Sequence, residues 1–298
     1  MTTRTRQDPK TEYPEPPFPK QQQEPPGTEA ELKPKADHGE KSYHGSGRLT
    51  DRVAVVTGGD SGIGKAVAIA FAREGADVLI SHLGGVEEAD AADTAQWVEK
   101  AGRRALTVAG DIGDSDLCAS LVERAEDELG HLDILVNNAA WQACGDRIEE
   151  VTTDEWRRIF RTNIEAMFHL SKAAIPRLRE GGTIINTTSI QAYSPSPELL
   201  PYAATKGAIV TFTKGLAQDP GVLERGLRVN AVAPGPIWTP LIPSTMPAEK
   251  AAKFGENTPL GRAGQPAELA PVYVFLASQE SSYITGEVIG VTGGRPLG

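Results

Sequence analysis

The chain has 298 residues, a formal net charge of -10 and a pI near 5.1, which is length for one large domain or two small ones and the wrong sign for a nucleic-acid or anionic-membrane partner. Its two cysteines, Cys118 and Cys144, stand in no metal-ligand spacing and are too few for a disulfide framework, so a reducing cytoplasm and no metal are expected. Neither a signal-peptide core nor a run of about 18 apolar residues occurs, and a soluble protein is expected.

Residues 1–48 differ in composition from the rest. Prolines from Pro9 to Pro34 alternate with charges and with Gln21-Gln22-Gln23, and too few apolar side chains are present to offset the entropy of ordering. The expectation is an extended, polyproline-like arm that either stays in solvent or lies along a surface as a strap, with Tyr13, Phe18 and Tyr43 as candidate anchors.

From Leu49 onward strands and helices alternate. Val53 to Thr57 is a continuous apolar run of the kind a strand buried on both faces needs. It breaks into Gly58-Gly59-Asp60-Ser61-Gly62-Ile63-Gly64 and then a helical pattern to Glu74, which puts glycines and unpaired N–H groups where a phosphate is attracted. As a bare glycine pattern it could equally be a tight turn, but its place after the first strand favours a dinucleotide site.

Strand two is expected at Asp77–His82, a helix near Ala89–Ala101, and strand three at Arg104–Ala109, ending in Gly110-Asp111. Asp114 caps a helix to Leu129, and strand four, Leu132–Val136, ends in Asn137-Asn138-Ala139-Ala140. Thr152 and Glu155 form a capping box for a long helix through Asn163 to about Arg179; Gly182–Thr188 is strand five, ending at Ser189. Pro201 opens the next helix, and Leu227–Ala233 is strand six, ending at Pro234-Gly235. Pro236–Gln265 reads as a long polar loop of the kind that covers a site, followed by a helix at Pro266–Ser278 and strand seven at Glu287–Val291. The pattern gives one doubly wound α/β domain over residues 49–298, a Rossmann sheet of seven parallel strands, with its special residues at the carboxyl ends of strands.

Tyr202 and Lys206 are four apart near a helix start and project from one face. A cation beside a phenol favours the phenolate and brings tyrosine toward the range useful for acid-base work. The spacing alone is weak, and so is Ser189 alone, which is more often a strand-end cap than a catalyst. Tyr193, beside Ser189, is the rival tyrosine. Pro197 at its fourth position excludes a helix, so it reads as a pocket wall.

Taken together, Thr57-Gly58-x-x-x-Gly62-x-Gly64, Asn137-Asn138-Ala139, Asn163, Ser189, Tyr202-x-x-x-Lys206 and Pro234-Gly235 resemble the short-chain dehydrogenases/reductases over residues 49–298. The chain is also similar to a bacterial subgroup of oxidoreductases with a proline-rich N-terminal extension. The resemblance implies hydride transfer between a nicotinamide and a carbonyl or alcohol carbon. Tyr202 would be the acid-base residue, and Ser189 would bind the reacting oxygen. Lys206 would lower the tyrosine pKa and hold ribose hydroxyls, while Asn163 would hold a water linking Lys206 to solvent. Gly58, Gly62, Ile63 and Gly64 would surround the pyrophosphate. Asp111 and Ile112 would meet the adenine, Asn137 and Ala139 its ribose, and Pro234, Gly235, Ile237 and Thr239 the nicotinamide end. Ala140 departs from the glycine usual in the family.

His82 occupies the position where an acidic residue would grip a ribose 2′-hydroxyl, and Ser61 the site where some NADP-using relatives carry a basic group. Without a repelling carboxylate, the cofactor expectation is NADP or NAD with a lean to NADP. Trp141, Gln142, Gln191, Tyr193, Leu199, Trp238, Met246 and Phe254 are the candidate pocket, suited to a small aldehyde, ketone or sugar-like polyol. The alternatives are a ketoacyl-thioester reductase and a catalytically silent dinucleotide-sensing regulator. The resemblance further implies a homotetramer pairing through the Asn163 and Tyr202 helices.

Overall fold

A computed structural model describes residues 7–145 and 147–298. Its strands are β1 (Val53–Thr57), β2 (Asp77–His82), β3 (Ala105–Ala109), β4 (Leu132–Asn137), β5 (Leu178–Thr187), β6 (Arg228–Pro234) and β7 (Val288–Val291). They form one seven-stranded sheet in the order β3-β2-β1-β4-β5-β6-β7, every pair parallel. The chain order reverses between β1 and β4, and that crevice is where such sheets take ligands.

The helices α1 (Gly62–Arg73), α2 (Glu88–Lys100), α3 (Ser115–Leu129), α4 (Thr153–Phe160), α5 (Ala166–Ala174), α6 (Leu200–Leu216), α7 (Pro220–Leu223), α8 (Leu241–Thr245), α9 (Ala248–Ala252) and α10 (Pro266–Ala277) complete the chain. Strand residues point alternately to two cores. Ala54 and Val56 pack with α1 and α10, while Val53 and Val55 pack with α3 and α5. This is why β1 shows no polar alternation: both of its faces are covered.

Two expected elements differ. The helix expected from Thr152 to about Arg179 is α4 and α5, joined by a π-helical turn at Arg161–Glu165, and it ends at Ala174. Pro176 lacks an N–H and disfavours helix at the residue before it, so the chain leaves the helix there and β5 begins at Leu178 rather than at Gly182. The expected loop at Pro236–Gln265 contains α8 and α9, each preceded by a proline, Pro240 and Pro247, which presets φ near the first turn. Ile242, Ala251 and Ala263 of this region are buried in a third cluster with Trp238.

That cluster is completed by residues from the first 48. Phe18 lies 4.4 Å from the Trp238 ring, and Leu32 is fully buried beside it. Backbone bonds run from Phe18 N to Ala252 O (2.7 Å) and from Gln23 N to Pro243 O (2.9 Å), while Trp238 Nε1 donates to Pro34 O (2.8 Å). Tyr43 is buried against α1 with its hydroxyl on the Glu74 carboxylate; Tyr13 is half-buried and donates to Asp37. Each short stretch thus gains partners from the domain, which offsets the ordering entropy its composition alone does not.

Candidate active site

One cleft runs along the carboxyl ends of the strands. At its floor the turn from β1 to α1 carries Gly58 and Gly62 at φ of +59° and +49°, a region side chains other than glycine rarely adopt. A Cβ on Gly58 would come 3.1 Å from Ala139 Cα, and one on Gly62 would meet Thr239 Cγ2 at 2.9 Å. Gly64 lies behind the turn rather than in the cleft, where a Cβ would fall 1.8 Å from Gly58 O. The glycines therefore serve two purposes, a cradle in front and close helix–strand packing behind. This cradle fits a dinucleotide pyrophosphate, with Ile63 on its wall and the start of α1 behind it.

Asn138 fastens the cradle to β4. Its side chain donates to Thr57 O (3.0 Å) and Gly58 O (3.2 Å), while Thr57 Oγ1 accepts the N–H groups of Asn138 (2.9 Å) and Ala139 (3.1 Å). The adjoining Asn137 turns inward to Asn186 Oδ1 (2.9 Å) and borders a small second cavity instead. Asp111, Ile112, Ala139 and Ser61 line the cleft. Two acidic groups stand with them that sequence reasoning gave no role, Asp60 and Glu87. Asp60 is 2% exposed, and burial, with the charge of Glu87, pushes its pKa up to about 8, which favours its protonated form. His82 lines the same end, and burial lowers its pKa, leaving it neutral.

Ser189 caps the turn after β5, its Oγ accepting from Gln191 N (3.1 Å), and a side-chain hydrogen bond joins it to Tyr202. Tyr202 and Lys206 face the cleft from adjacent turns of α6, with Nζ 5.2 Å from the phenol ring centroid and donating to Thr187 O (2.8 Å). The charges differ from the expectation. Burial pushes Tyr202 up to about 12, against the Ser189 hydrogen bond, and the same burial pulls Lys206 down to about 7. Desolvation penalises both charged forms here, which favours the neutral phenol and makes the ammonium readier to give up its proton.

Asn163 sits on the π turn between α4 and α5 but outside the cleft wall. It accepts from Trp141 N (2.7 Å) and donates to Trp141 O (2.9 Å) and Thr205 Oγ1 (3.0 Å), so its polar atoms are spent on positioning the loop after β4. A π bulge is what aims a helix side chain at such a backbone target. Pro234, Gly235, Ile237 and Thr239 bring the end of β6 to the cleft.

At the far end Trp141, Gln142, Gln191, Leu199, Met246 and Phe254 line the cavity. Arg158 joins them, its guanidinium 3.5 Å from the Trp141 ring centroid, a contact no spacing in the sequence announces. Two expected pocket residues are corrected. Trp238 is fully buried in the core shared with Phe18, because that core offers its ring apolar cover and its N–H a carbonyl. Tyr193 comes just after the Ser189 turn and lies half-exposed outside the lining.

The model of a family described as enoyl-(acyl carrier protein) reductase matches residues 58–295. The uncharacterized oxidoreductase YghA of Escherichia coli is 54% identical over 292 residues, covering 98% of each chain. The glucose and ribitol dehydrogenase of Daucus carota is 46% identical over 282 residues, 93% of this chain and 96% of that one. A short-chain dehydrogenase from Burkholderia cenocepacia, solved in complex with NADP, superposes with a TM-score of 0.77 at 32% identity, over 83% of this chain and 98% of that one.

Proposed function

The chain belongs to the short-chain dehydrogenase/reductase family of oxidoreductases, and we propose that it reduces small aldehydes, ketones or sugar-like polyols' carbonyl forms, or oxidises the corresponding alcohols, with NADP(H). The observation that carries this reading is the meeting of Ser189, Tyr202 and Lys206 on one cleft with the glycine cradle. A nicotinamide bound there supplies or accepts the hydride. Tyr202 gives its proton to the carbonyl oxygen in reduction, and Ser189 Oγ hydrogen-bonds the same oxygen where charge develops. Lys206, with its pKa near 7, holds a proton one turn away that stabilises the phenolate as it forms. Asn163 acts through Trp141, fixing the wall on which the substrate rests.

NADP is supported by the burial of Asp60, which favours its uncharged form and leaves less negative charge to oppose a 2′-phosphate, and by the bound NADP of the Burkholderia protein. A polyol or aldehyde substrate is supported by the amide and guanidinium groups among the aromatics of the far pocket and by the carrot relative's name. Within the family we place the protein with those carrying a proline-rich extension, and divide it into an arm, residues 1–48, and a catalytic domain, 49–298. Its two-cysteine composition supports the cytoplasm, its acidity speaks against nucleic acid, and no helix among the described residues is long and apolar enough to cross a membrane.

The test is a screen of aldehydes and polyols with both coenzymes, followed by Tyr202→Phe. Loss of a general acid is expected to lower kcat by about 10²–10⁴-fold. Dinucleotide binding should persist. Turnover by Tyr202→Phe at the parent rate refutes the assignment.

A further inference from the structure

The residues that shape the dinucleotide cradle do not all come from the span the family model matches, which begins at residue 58. Glu29, 7% exposed, reaches from the N-terminal arm to the start of α1, where its Oε1 accepts the N–H of Gly62 at 2.8 Å. Its backbone N–H is in turn held by Asp90 Oδ2 of α2 (2.8 Å). Three residues earlier Pro26 forms part of the cleft wall, and its carbonyl accepts from Ser244 Oγ of α8 (3.1 Å). The arm thus holds both the cradle, through Gly62, and α8, through Ser244.

On the reading that this cleft binds a nicotinamide dinucleotide, we propose that Glu29 is a positioning residue for the cofactor. By fixing the Gly62 amide it sets the turn in the shape that receives the pyrophosphate. A flexible glycine pair loses more freedom on ordering than any other residues, so a turn held in place before binding spares the ligand that cost. An opposing effect must be weighed, because a carboxylate behind the cradle also repels phosphate. His38 offsets part of this repulsion: its Nε2 lies 2.8 Å from Glu29 Oε1, while its Nδ1 is shared with Glu40 at 3.0 Å. Lys65 of α1 lies on the same side, bonded to Asp93 (2.6 Å) and 4.0 Å from Glu40. With the Glu29 carboxylate paired to an imidazole, the geometry of the amide bond is the effect to test.

Three variants separate geometry from charge, with dinucleotide affinity measured by quenching of intrinsic fluorescence and folding checked by melting temperature. Glu29→Ala removes the acceptor, and Glu29→Asp keeps the charge but shortens the reach by one methylene. Both should weaken NADP(H) binding about tenfold, the worth of one charge-assisted hydrogen bond. Glu29→Gln keeps an oxygen at the same reach and should stay within about threefold of the parent. At saturating dinucleotide, kcat should be unchanged within about twofold in every folded variant, a split that a general loss of structure does not produce. The proposal is overturned if Glu29→Asp binds as the parent does, if Glu29→Gln is as weak as Glu29→Ala, or if any variant binds more tightly. A parent protein that binds neither NADP nor NAD would instead overturn the reading of the cleft itself.

Discussion

His38 is the group whose titration should be visible in the stability of the folded chain. It is 3% exposed, with Nε2 2.8 Å from Glu29 and Nδ1 3.0 Å from Glu40. Burial alone would lower its pKa, but the two carboxylates outweigh that and raise it from 6.5 to about 9. A pKa raised on folding means that the folded state holds the proton more tightly. The resulting stability is complete below about pH 6.5 and is lost as the pH rises through about 9. At 1.36 kcal/mol per unit the shift corresponds to about 3 kcal/mol. Lys206 runs the other way: its pKa falls from 10.5 to about 7, so its contribution grows with pH over an overlapping window. The parent's stability alone would therefore mix two opposite slopes, and the informative quantity is the difference between the parent and His38→Gln. Urea unfolding at about pH 6, 7.5 and 10 should show the variant less stable, by a gap that narrows by about 3 kcal/mol across the series. A gap that stays constant or widens with pH would refute the claim that His38 is a buried cation held between Glu29 and Glu40.

Two further outcomes rest on packing. Gly64→Ala places a methyl 1.8 Å from the Gly58 carbonyl oxygen, a backbone atom that cannot give way without opening the turn between β1 and α1. Dinucleotide binding should fall at least about a hundredfold or the variant should fail to accumulate folded, and parental binding would show that the turn is looser than described. We also propose a homotetramer, since Trp156 on α4 and Phe168 on α5 are 38% and 46% exposed on the stretch around Asn163 that the resemblance implies would face a partner subunit; light scattering giving a monomer would reject it.

Much of the site was legible from residue order because parallel sheets impose a rule. Most of the motifs closed a strand, and strand ends of one sheet converge on one edge. Gly58, Ser189 and Pro234 are far apart in sequence yet fall on that edge once β1, β5 and β6 are recognised as strands. Tyr202 and Lys206 needed only the helical repeat of α6. Residues whose place depends on long-range packing were misplaced or missed. Trp238 looks like a pocket residue beside the β6 end, but Phe18 of the distant N-terminal arm encloses it, and nothing local in either segment specifies that contact. The early end of the Asn163 helix was foreshadowed only by Pro176. Arg158 belongs to the cleft through the ring of Trp141, and that ring's position depends on the loop after β4 being tied to Asn163 across the fold.

Sequence by itself determined the strand and helix order, the glycine turn and the pairing of Tyr202 with Lys206 on one helix face, since each rests on local periodicity and on residues whose backbone freedom or chemistry is intrinsic. Tertiary structure decided the fate of residues 7–48 and the charge states in the cleft. A proline-rich stretch carries too little apolar surface to order itself, so its shape depends on the partners the domain offers it: a slot for Phe18, an amide for Glu29 and a carboxylate for Tyr43. The proton affinities of Asp60, Tyr202 and Lys206 likewise reflect how much water the folded walls remove, a quantity that no spacing of residues encodes.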